Sequence, residues 1–428
     1  MEMKDMILVS VDDHVIEPPD MFKRHMPAAL LDKAPKMATM KNGSDSWEFE
    51  GRVVPNFGLN AVVGRPPEEY GMEPASYSQI RVGTYDVKSR VDDMNVNGIL
   101  SSICFPTFPH FAGIFFLGST DKALAKTVIR AYNDWHIDEW CAAAPGRFIP
   151  IAILPLWDID ACVEEATRVA KKGARTISFL DSPVSKGLPS VHSDYWDPLW
   201  KVMSDHNMVI SIHIGSGAQP PYSSMDAPID TWIVNMPMFI ANATSDWLFS
   251  PVFHKFPKLK IALSEGGIGW VPYLLERADF TYQHHHAWTN ANFRGMLPSE
   301  LFARNFITCF IDDKFGLKNV DAMNVDHITY ECDYPHSDTL WPLAPEKLWE
   351  SIRHLDKEKI DKITHLNALR EFSFDPFALL GRENCTVGAL RAQAAHVDTK
   401  PMVGIGGHNP SNKEGRPVTA GDVAKLFA

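Results

Sequence analysis

Several features that mark other protein classes are missing from this sequence. No stretch approaches the ~18 consecutive apolar residues of a membrane-spanning helix, and the first apolar run is too short for a secretory leader. No run of lysine and arginine is present, which argues against nucleic-acid binding. The six cysteines form no C-x-x-C pair, so they indicate neither a disulfide framework nor a zinc ribbon.

The composition is that of a large folded protein. Of its 428 residues, 45% are hydrophobic and 22% are charged, which suits one large α/β domain or two ordinary ones. The formal net charge of -12 again disfavours nucleic acid but does not reveal the charge of a substrate. We expect a soluble cytoplasmic protein that acts on a small molecule and binds neither nucleic acid nor a membrane.

Short apolar segments bounded by turn residues recur along the chain and predict eight β-strands. They are residues 6–13, 98–106, 148–155, 174–181, 208–215, 259–267, 305–313 and 327–335. Most lack polar/apolar alternation, as expected of parallel strands covered on both faces. Helical periodicity lies between them, as in 158–173 and 270–283. The pattern predicts an α/β fold, a (β/α)8 TIM barrel, with a doubly wound sheet as the alternative.

Two segments interrupt this alternation. An insertion after the first strand, about residues 30–92, contains a predicted hairpin at 45–56 and suits a lid over the barrel mouth. The tail is rich in glycine and proline. We therefore expect a barrel over 1–380 and, over 381–428, an arm that covers this subunit or a neighbour.

Polar residues end most of the predicted strands, where barrel enzymes carry their catalytic groups. The first strand ends in Asp12, Asp13 and His14, and period-two alternation turns Asp12 and His14 inward and Asp13 outward. His213 ends the fifth strand and Asp333 the eighth. Each alone is more typical of a hydrogen-bonded core group. Together, imidazoles and carboxylates from separate strands indicate a site for a divalent metal.

The remaining polar groups have simpler interpretations. Asp13, Asp312 and Asp313 suit helix caps or loop contacts. The three histidines at 284–286 lie at the end of a helical pattern, where they suit a helix C-terminus better than a metal tract.

The stretches VDDHVIEP, SIHIG and ECDYPHSD resemble the amidohydrolase-related metal-dependent hydrolases. Within them the resemblance is to the branch of γ-resorcylate, 5-carboxyvanillate and aminocarboxymuconate semialdehyde decarboxylases. It covers roughly residues 6–380, without the insertion. It implies that Asp12, His14, His213 and Asp333 bind one divalent metal, with zinc as the default and manganese or iron open.

The sixth strand departs from that branch, because it carries Glu265 in LSEGG where the similar decarboxylases have a catalytic histidine before a glycine. The departure favours hydrolysis, in which a metal-activated water attacks an amide, ester or thioester carbonyl. Asp333 would take the proton, and Glu265 or His336 would assist the leaving group. The alternative is a non-oxidative decarboxylase of an aromatic or unsaturated acid, with Asp333 protonating the carbon. A non-catalytic binding barrel is a third hypothesis.

Aromatic residues predict the character of the substrate. Five phenylalanines within 105–116, together with Trp341, suggest an apolar or aromatic substrate with a polar reacting end, although each alone suits core packing. Arg52, Arg65 and Arg81 in the insertion are candidates to meet a carboxylate, with surface solvation as the alternative.

The apolar segment 232–249 predicts an assembly. With the C-terminal arm it would bury an interface in a homodimer or larger homo-oligomer. The alternative is an ordinary barrel helix that faces the sheet.

Overall fold

Eleven β-strands lie in the part of the chain that the computed structural model describes, residues 1–54, 57–217, 223–410 and 415–426. They are β1 (Leu8–Val15), β2 (Lys36–Thr39), β3 (Asp45–Phe49), β4 (Arg52–Val53), β5 (Ile99–Pro106), β6 (Ile151–Ala152), β7 (Thr176–Leu180), β8 (Val209–His213), β9 (Ile261–Ser264), β10 (Phe306–Phe310) and β11 (Ile328–Tyr330). All eight predicted strands are present.

Eight of the strands form one parallel sheet in the order β5-β1-β11-β10-β9-β8-β7-β6. Two hydrogen bonds join the edge strand β5 to the segment that leads into the other edge strand, β6. The Ser102 N–H donates to the Arg147 carbonyl and the Ile149 N–H donates to the Ser102 carbonyl, each at 2.9 Å. Every residue of β1 and β5 is buried, as strands covered on both faces require. The sheet is a closed barrel, which confirms the predicted (β/α)8 fold.

Helices surround the barrel. The α-helices are α1 (Met21–His25), α2 (Val87–Val96), α3 (Lys122–Trp135), α4 (Ile159–Lys172), α5 (Asp197–Asp205), α6 (Ile229–Asn235), α7 (Pro237–Leu248), α8 (Val252–Lys255), α9 (Val271–Thr289), α10 (Pro298–Asn305), α11 (Lys314–Lys318), α12 (Ala344–Ile352), α13 (Lys357–Asp361), α14 (Asn367–Glu371), α15 (Phe377–Leu380), α16 (Val387–Ala392) and α17 (Ala420–Ala424). Within the described residues, none of these is long and apolar enough to cross a membrane.

Two helices test the boundaries that the sequence predicts. Helix α4 begins after Asp158, whose carboxylate accepts a hydrogen bond from the Ala161 N–H at 3.1 Å, and ends at Gly173 with φ of 104°, close to the predicted 158–173. Helix α9 continues six residues past the predicted end at 283, through the three histidines, and stops at Asn290. Propensity alone does not mark that end.

The insertion forms a three-stranded antiparallel sheet, β2-β3-β4, and its β3–β4 pair is the predicted hairpin. The remainder runs across the barrel mouth, where the Val63 N–H donates to the Pro335 carbonyl and the Ile16 N–H to the Thr84 carbonyl, each at 3.0 Å. Helix α2 begins at Val87, so the insertion ends a few residues before the predicted 92.

The C-terminal arm packs against other segments of the same chain. Its first helix, α16, is joined to the start of the barrel through Val387 N–H and the Met6 carbonyl at 2.8 Å. The arm then follows the insertion, where the Met402 N–H donates to the Gly64 carbonyl at 2.7 Å, and Thr419 forms a bridge with Pro228 before α17.

An apolar core fills the barrel interior. It includes Val9, Phe105, Ile151, Val209 and Ile307, all of which are buried. At the carboxyl ends of the strands this apolar filling gives way to ionisable side chains, and there the candidate site begins.

Candidate metal centre

The end of β1 separates two neighbouring aspartates. Asp12 and His14 point into the barrel and are fully buried. Asp13 turns away and accepts hydrogen bonds from Ser10 Oγ and the Tyr334 N–H, each at 3.0 Å, and from Ser102 Oγ. The inward and outward directions are those predicted from strand alternation, and Asp13 serves as a brace between strands.

Strands β1, β8 and the end of β11 bring their side chains together. His14 Nε2 lies 3.5 Å from Asp12 Oδ1, 3.4 Å from Asp333 Oδ1 and 3.2 Å from His213 Nε2. His213 Nε2 lies 3.5 Å from Asp12 Oδ2. The two groups Asp12–His14–His213 and His14–Asp333–His336 each have ligand atoms within 4.8 Å of one another. The four predicted ligands therefore lie in two overlapping groups that share His14.

The hydrogen bonding of this cluster fits a cation. Among the described residues, neither oxygen of Asp12 has a hydrogen-bond partner, although both are buried, and buried Asp333 has the His336 ring 2.8 Å from its Oδ1. Such atoms are costly in a protein interior unless a positive group compensates them. The residue types are also those that zinc and other first-row divalent metals prefer.

The histidines are held in the form that binds metals. His213 Nδ1 lies 2.7 Å from the Ile214 carbonyl, which assigns the proton to Nδ1 and leaves the Nε2 lone pair facing the cluster. Burial lowers the pKa of His213 to about 3 and lowers that of His14 as well. Both imidazoles are therefore neutral at physiological pH.

The carboxyl groups have the opposite shift. Burial, reinforced by neighbouring carboxylates, raises the pKa values of Asp12 and Glu265, and burial also raises that of Asp333. With no cation beside them, these groups repel one another and favour their protonated forms. A divalent metal would reverse that preference.

Glu265 and His336 border the cluster. Glu265 follows β9 with φ of 58°, and its Oε2 lies 3.4 Å from His213 Nε2. Its side chain is 14% exposed, whereas that of Asp333 is fully buried, so Glu265 lies on the accessible side. His336 Nδ1 lies 2.8 Å from Asp333 Oδ1.

Sequence inspection missed Glu331. This carboxylate accepts hydrogen bonds from Cys309 Sγ at 2.6 Å and from the Glu265 N–H at 3.1 Å, and burial raises its pKa to about 7. It thereby supports the residue that borders the cluster. The signal was present, because Glu331 lies two residues before Asp333 in the predicted strand 327–335, where period-two alternation assigns both to one face.

Other polar residues lie elsewhere. Asp313 caps α11 and also accepts hydrogen bonds from the Ile268 and Gly269 N–H groups at 2.8 and 2.6 Å, and Asp312 accepts one from Ser351 Oγ at 3.0 Å. The three histidines at 284–286 lie on α9, and those at 284 and 286 are exposed. Each matches the simpler interpretation above.

The insertion arginines make internal contacts. Arg52 donates to the Phe115 carbonyl at 3.2 Å, and Arg65 donates to the Met72 carbonyl at 2.5 Å. Arg81 forms a salt bridge of 2.7 Å with Asp93 and lies over the ring of Trp341, 4.2 Å from its centroid. All three arginines therefore contact protein groups, Arg65 in a buried position and Arg52 with 35% of its side chain still exposed.

Two of the predicted aromatic residues contact the cluster. The Phe111 ring lies 4.0 Å from the His213 ring and 5.1 Å from the His14 ring, between centroids. The Phe105 ring lies 5.2 Å from that of His213. Phe108 instead packs on Trp47 of the insertion.

In this closed parallel barrel, the ends of the strands bring carboxylates and imidazoles together. Such an arrangement is typical of metal-dependent barrel enzymes. The family model described as amidohydrolase matches residues 85–374. The chain therefore belongs to the amidohydrolase family.

Similar proteins include curated decarboxylases. The 2-amino-3-carboxymuconate-6-semialdehyde decarboxylase of Dictyostelium discoideum is 25% identical over 308 residues, covering 70% of this chain and 80% of its own. The gamma-resorcylate decarboxylase of Rhizobium sp. (strain MTP-10005) is 24% identical over 332 residues, covering 71% and 93%.

Among solved structures, the 5-carboxyvanillate decarboxylase of Novosphingobium aromaticivorans superposes with a TM-score of 0.59 at 19% identity, covering 87% of this chain and 97% of its own. That structure is a complex with manganese and 4-hydroxy-3-methoxy-5-nitrobenzoic acid. The likeness supports the fold.

Proposed function

We propose that the protein is a metal-dependent, non-oxidative decarboxylase of an aromatic or unsaturated carboxylic acid. The observation that carries the proposal is the buried cluster of Asp12, His14, His213 and Asp333, in which both oxygens of Asp12 lack protein donors among the described residues. Its curated relatives are decarboxylases, which favours this reaction over the hydrolysis expected from Glu265.

The four residues of the cluster would hold one divalent metal. Zinc is the default from the sequence, and the manganese of the Novosphingobium enzyme makes manganese the first alternative. When bound, the metal would chelate the substrate carboxylate and an adjacent oxygen and draw electron density from them.

Asp333 and Glu265 would hold and donate the proton that the reaction requires. Glu265 borders the cluster on its accessible side and Asp333 lies within the cluster, so these two carboxyl groups are placed to hold a proton next to the substrate. His336, at 2.8 Å from Asp333 Oδ1, fixes the orientation of that carboxyl group. As the bond between carbon and carboxylate breaks, carbon dioxide leaves, and the remaining carbon takes the proton from Asp333. Water then restores the proton.

The surroundings suit a flat substrate. Phe111, which is partly exposed, lies on the histidine side of the cluster, and an aromatic or conjugated acid could pack against its ring. The substrate would enter from the side of Glu265, the most accessible of the ionisable side chains named here.

The test is a panel assay with manganese-loaded and zinc-loaded protein. The panel contains 2,6-dihydroxybenzoate, 5-carboxyvanillate and other hydroxylated aromatic acids, with the corresponding methyl esters as hydrolase substrates. The proposal expects release of carbon dioxide and, in deuterium oxide, one deuterium on the product carbon. Metal-loaded protein that decarboxylates none of the acids yet hydrolyses an ester would contradict it.

Hydrolysis is the second candidate because Glu265 occupies the place where the similar decarboxylases carry histidine. A carboxylate there can take a proton from an attacking water. Reaction in oxygen-18 water separates the two candidates. Hydrolysis adds the heavy oxygen to the organic product, whereas decarboxylation adds none.

A further inference from the structure

Glu17 is a buried carboxylate that the proposed reaction does not use. It lies three residues past His14, and its side chain is fully buried. One carboxylate oxygen accepts a hydrogen bond from the Thr107 N–H at 2.9 Å, and the other accepts one from the Phe108 N–H at 2.8 Å. These two amides begin the loop after β5. A single carboxylate therefore fastens that loop to the end of β1.

The surroundings of Glu17 contain two tyrosines. Tyr132 of α3 faces the carboxylate, and Tyr77 of the insertion donates from its hydroxyl to the Glu17 carbonyl at 2.6 Å. Burial raises the pKa values of both phenols, so both are uncharged near neutral pH. Burial also raises the pKa of Glu17, to about 7, against the opposing effect of its two amide hydrogen bonds. A glutamine could keep only one of those bonds, because its amino group is a donor.

The loop leads directly to the metal site. Past Phe108, the backbone at His110 adopts φ of 57°, a left-handed conformation that residues other than glycine seldom hold without support. The next residue is Phe111, whose ring covers His213 and His14. Phe111 is partly exposed and both histidines are buried, so its ring separates them from solvent on this side.

We propose that Glu17 is a positioning residue that holds the 107–118 loop so that Phe111 closes the histidine side of the site to small molecules. The proposal deepens the proposed function but depends on contacts of this chain alone. It can therefore be tested in metal-free protein, without a substrate.

Glu50 provides a matched control. Its carboxylate accepts hydrogen bonds from the Thr120 and Asp121 N–H groups at 3.1 and 2.8 Å, at the far end of the same connection. Glu50→Gln therefore removes the same kind of contact away from Phe111.

The first measurement is amide hydrogen exchange by mass spectrometry. Glu17→Gln should speed exchange in peptides spanning 107–116 about tenfold or more, the scale of losing one buried hydrogen bond. Glu50→Gln should affect only peptides near 117–121. Unchanged exchange over 107–116 in folded Glu17→Gln would overturn the anchoring role.

The second measurement is carbethoxylation of His213 by diethylpyrocarbonate in metal-free protein. Glu17→Gln and Phe111→Ala should each speed modification about tenfold, and the double variant should add little, since both act through one loop. Glu50→Gln should match the wild type. Faster loop exchange without faster modification of His213 would overturn the closing role of Phe111.

Wild-type protein supplies a test that does not depend on a variant folding. Its own Glu17 gains a proton as the pH falls through about 7. The rate at which His213 of the wild type is modified should therefore rise between pH 8 and pH 6. Phe111→Ala should lack any such rise, and a wild-type rate that stays constant over this range would overturn the role of Glu17.

Discussion

At the scale of single residues, burial distinguishes the ionisable side chains of this site, and both oxygens of Asp12 are buried without a hydrogen-bond partner among the described residues. Glu265 is a carboxyl group with a raised pKa, close to a neutral imidazole and accessible from the mouth. A merely structural glutamate would instead be paired with an arginine or with several amides, as Glu17 is with two. The position of Glu265 therefore indicates a chemical role.

We predict that Glu265→Gln keeps the fold and the bound metal but lowers turnover on the order of a hundredfold, the usual scale for losing a proton-transfer group. The measurement is kcat on the best acid of the panel, with metal content and thermal unfolding as controls. Turnover at the wild-type rate would make Glu265 structural and leave Asp333 to handle the proton alone.

At the scale of elements, the ends of the strands carry the residues of the candidate site. The sequence predicted these strands and the residues that follow them. Parallel strands covered on both faces leave continuous apolar runs, and period-two alternation then assigned Asp12 inward and Asp13 outward. The order of the strands brought His213 and Asp333 to the same place. These conclusions require only the pattern of apolar and polar residues along each strand and the rule that barrel enzymes carry their catalytic groups at the carboxyl ends of the strands.

Other features depend on contacts between distant segments, which local patterns do not contain. The arginines of the insertion were interpreted as solvated or as candidates to meet a carboxylate, because local pattern does not reveal their partners, such as Asp93 for Arg81. The path of the arm and the closeness of Phe111 to His213 likewise arise from tertiary packing.

A matched pair of substitutions at the end of β1 tests this description. Asp13→Ala leaves the donors of Ser10, Ser102 and Tyr334 without their acceptor and should lower the free energy of unfolding by about 2 kcal/mol. Asp12→Asn in metal-free protein should cost little or even stabilise, because it removes an unpartnered buried carboxylate.

Urea denaturation of the metal-free proteins measures both effects. A loss of stability as large for Asp12→Asn as for Asp13→Ala would show that Asp12 is a structural group.

At the scale of the whole molecule, the buried carboxyl groups make stability depend on pH. Burial raises the pKa values of Glu17 and Glu331 to about 7, from 4.5, so the folded chain holds protons that the unfolded chain has released. Their stabilising effect is full below the unfolded value and is lost as the pH rises through about 7. Buried histidines have the opposite effect on the free energy of unfolding. Their stabilising contribution is lost as the pH falls below their unfolded pKa of about 6.5.

The free energy of unfolding of metal-free wild-type protein, relative to that of Glu17→Gln, should therefore fall as the pH rises from about 5 through about 7. Urea titrations across this range measure both proteins, and the buried histidines, which both proteins contain, cancel in the difference. A difference that rises with pH would contradict the assigned protonation of Glu17.

The assembly remains a prediction. Helix α7 faces inward, as the alternative interpretation of 232–249 expected, with Ile240 and Trp247 buried. Helix α6 instead exposes Ile233 and Val234, at 56% and 74%. We predict that this surface is covered in a homodimer or larger oligomer.

Light scattering at micromolar concentration measures the mass of the assembly. Ile233→Glu combined with Val234→Glu should shift it to the monomer. A wild-type monomer of 48.0 kDa would contradict the prediction.

The central claim is that Asp12, His14, His213 and Asp333 form a metal centre, and metal analysis by mass spectrometry tests it most directly. Wild-type protein dialysed after loading should retain about one zinc or manganese ion per chain, as a site with four protein ligands would. His14→Ala and His213→Ala should lose that metal, whereas Asp13→Asn should keep it. Wild-type protein with no bound metal, or His14→Ala with a full complement, would contradict the account.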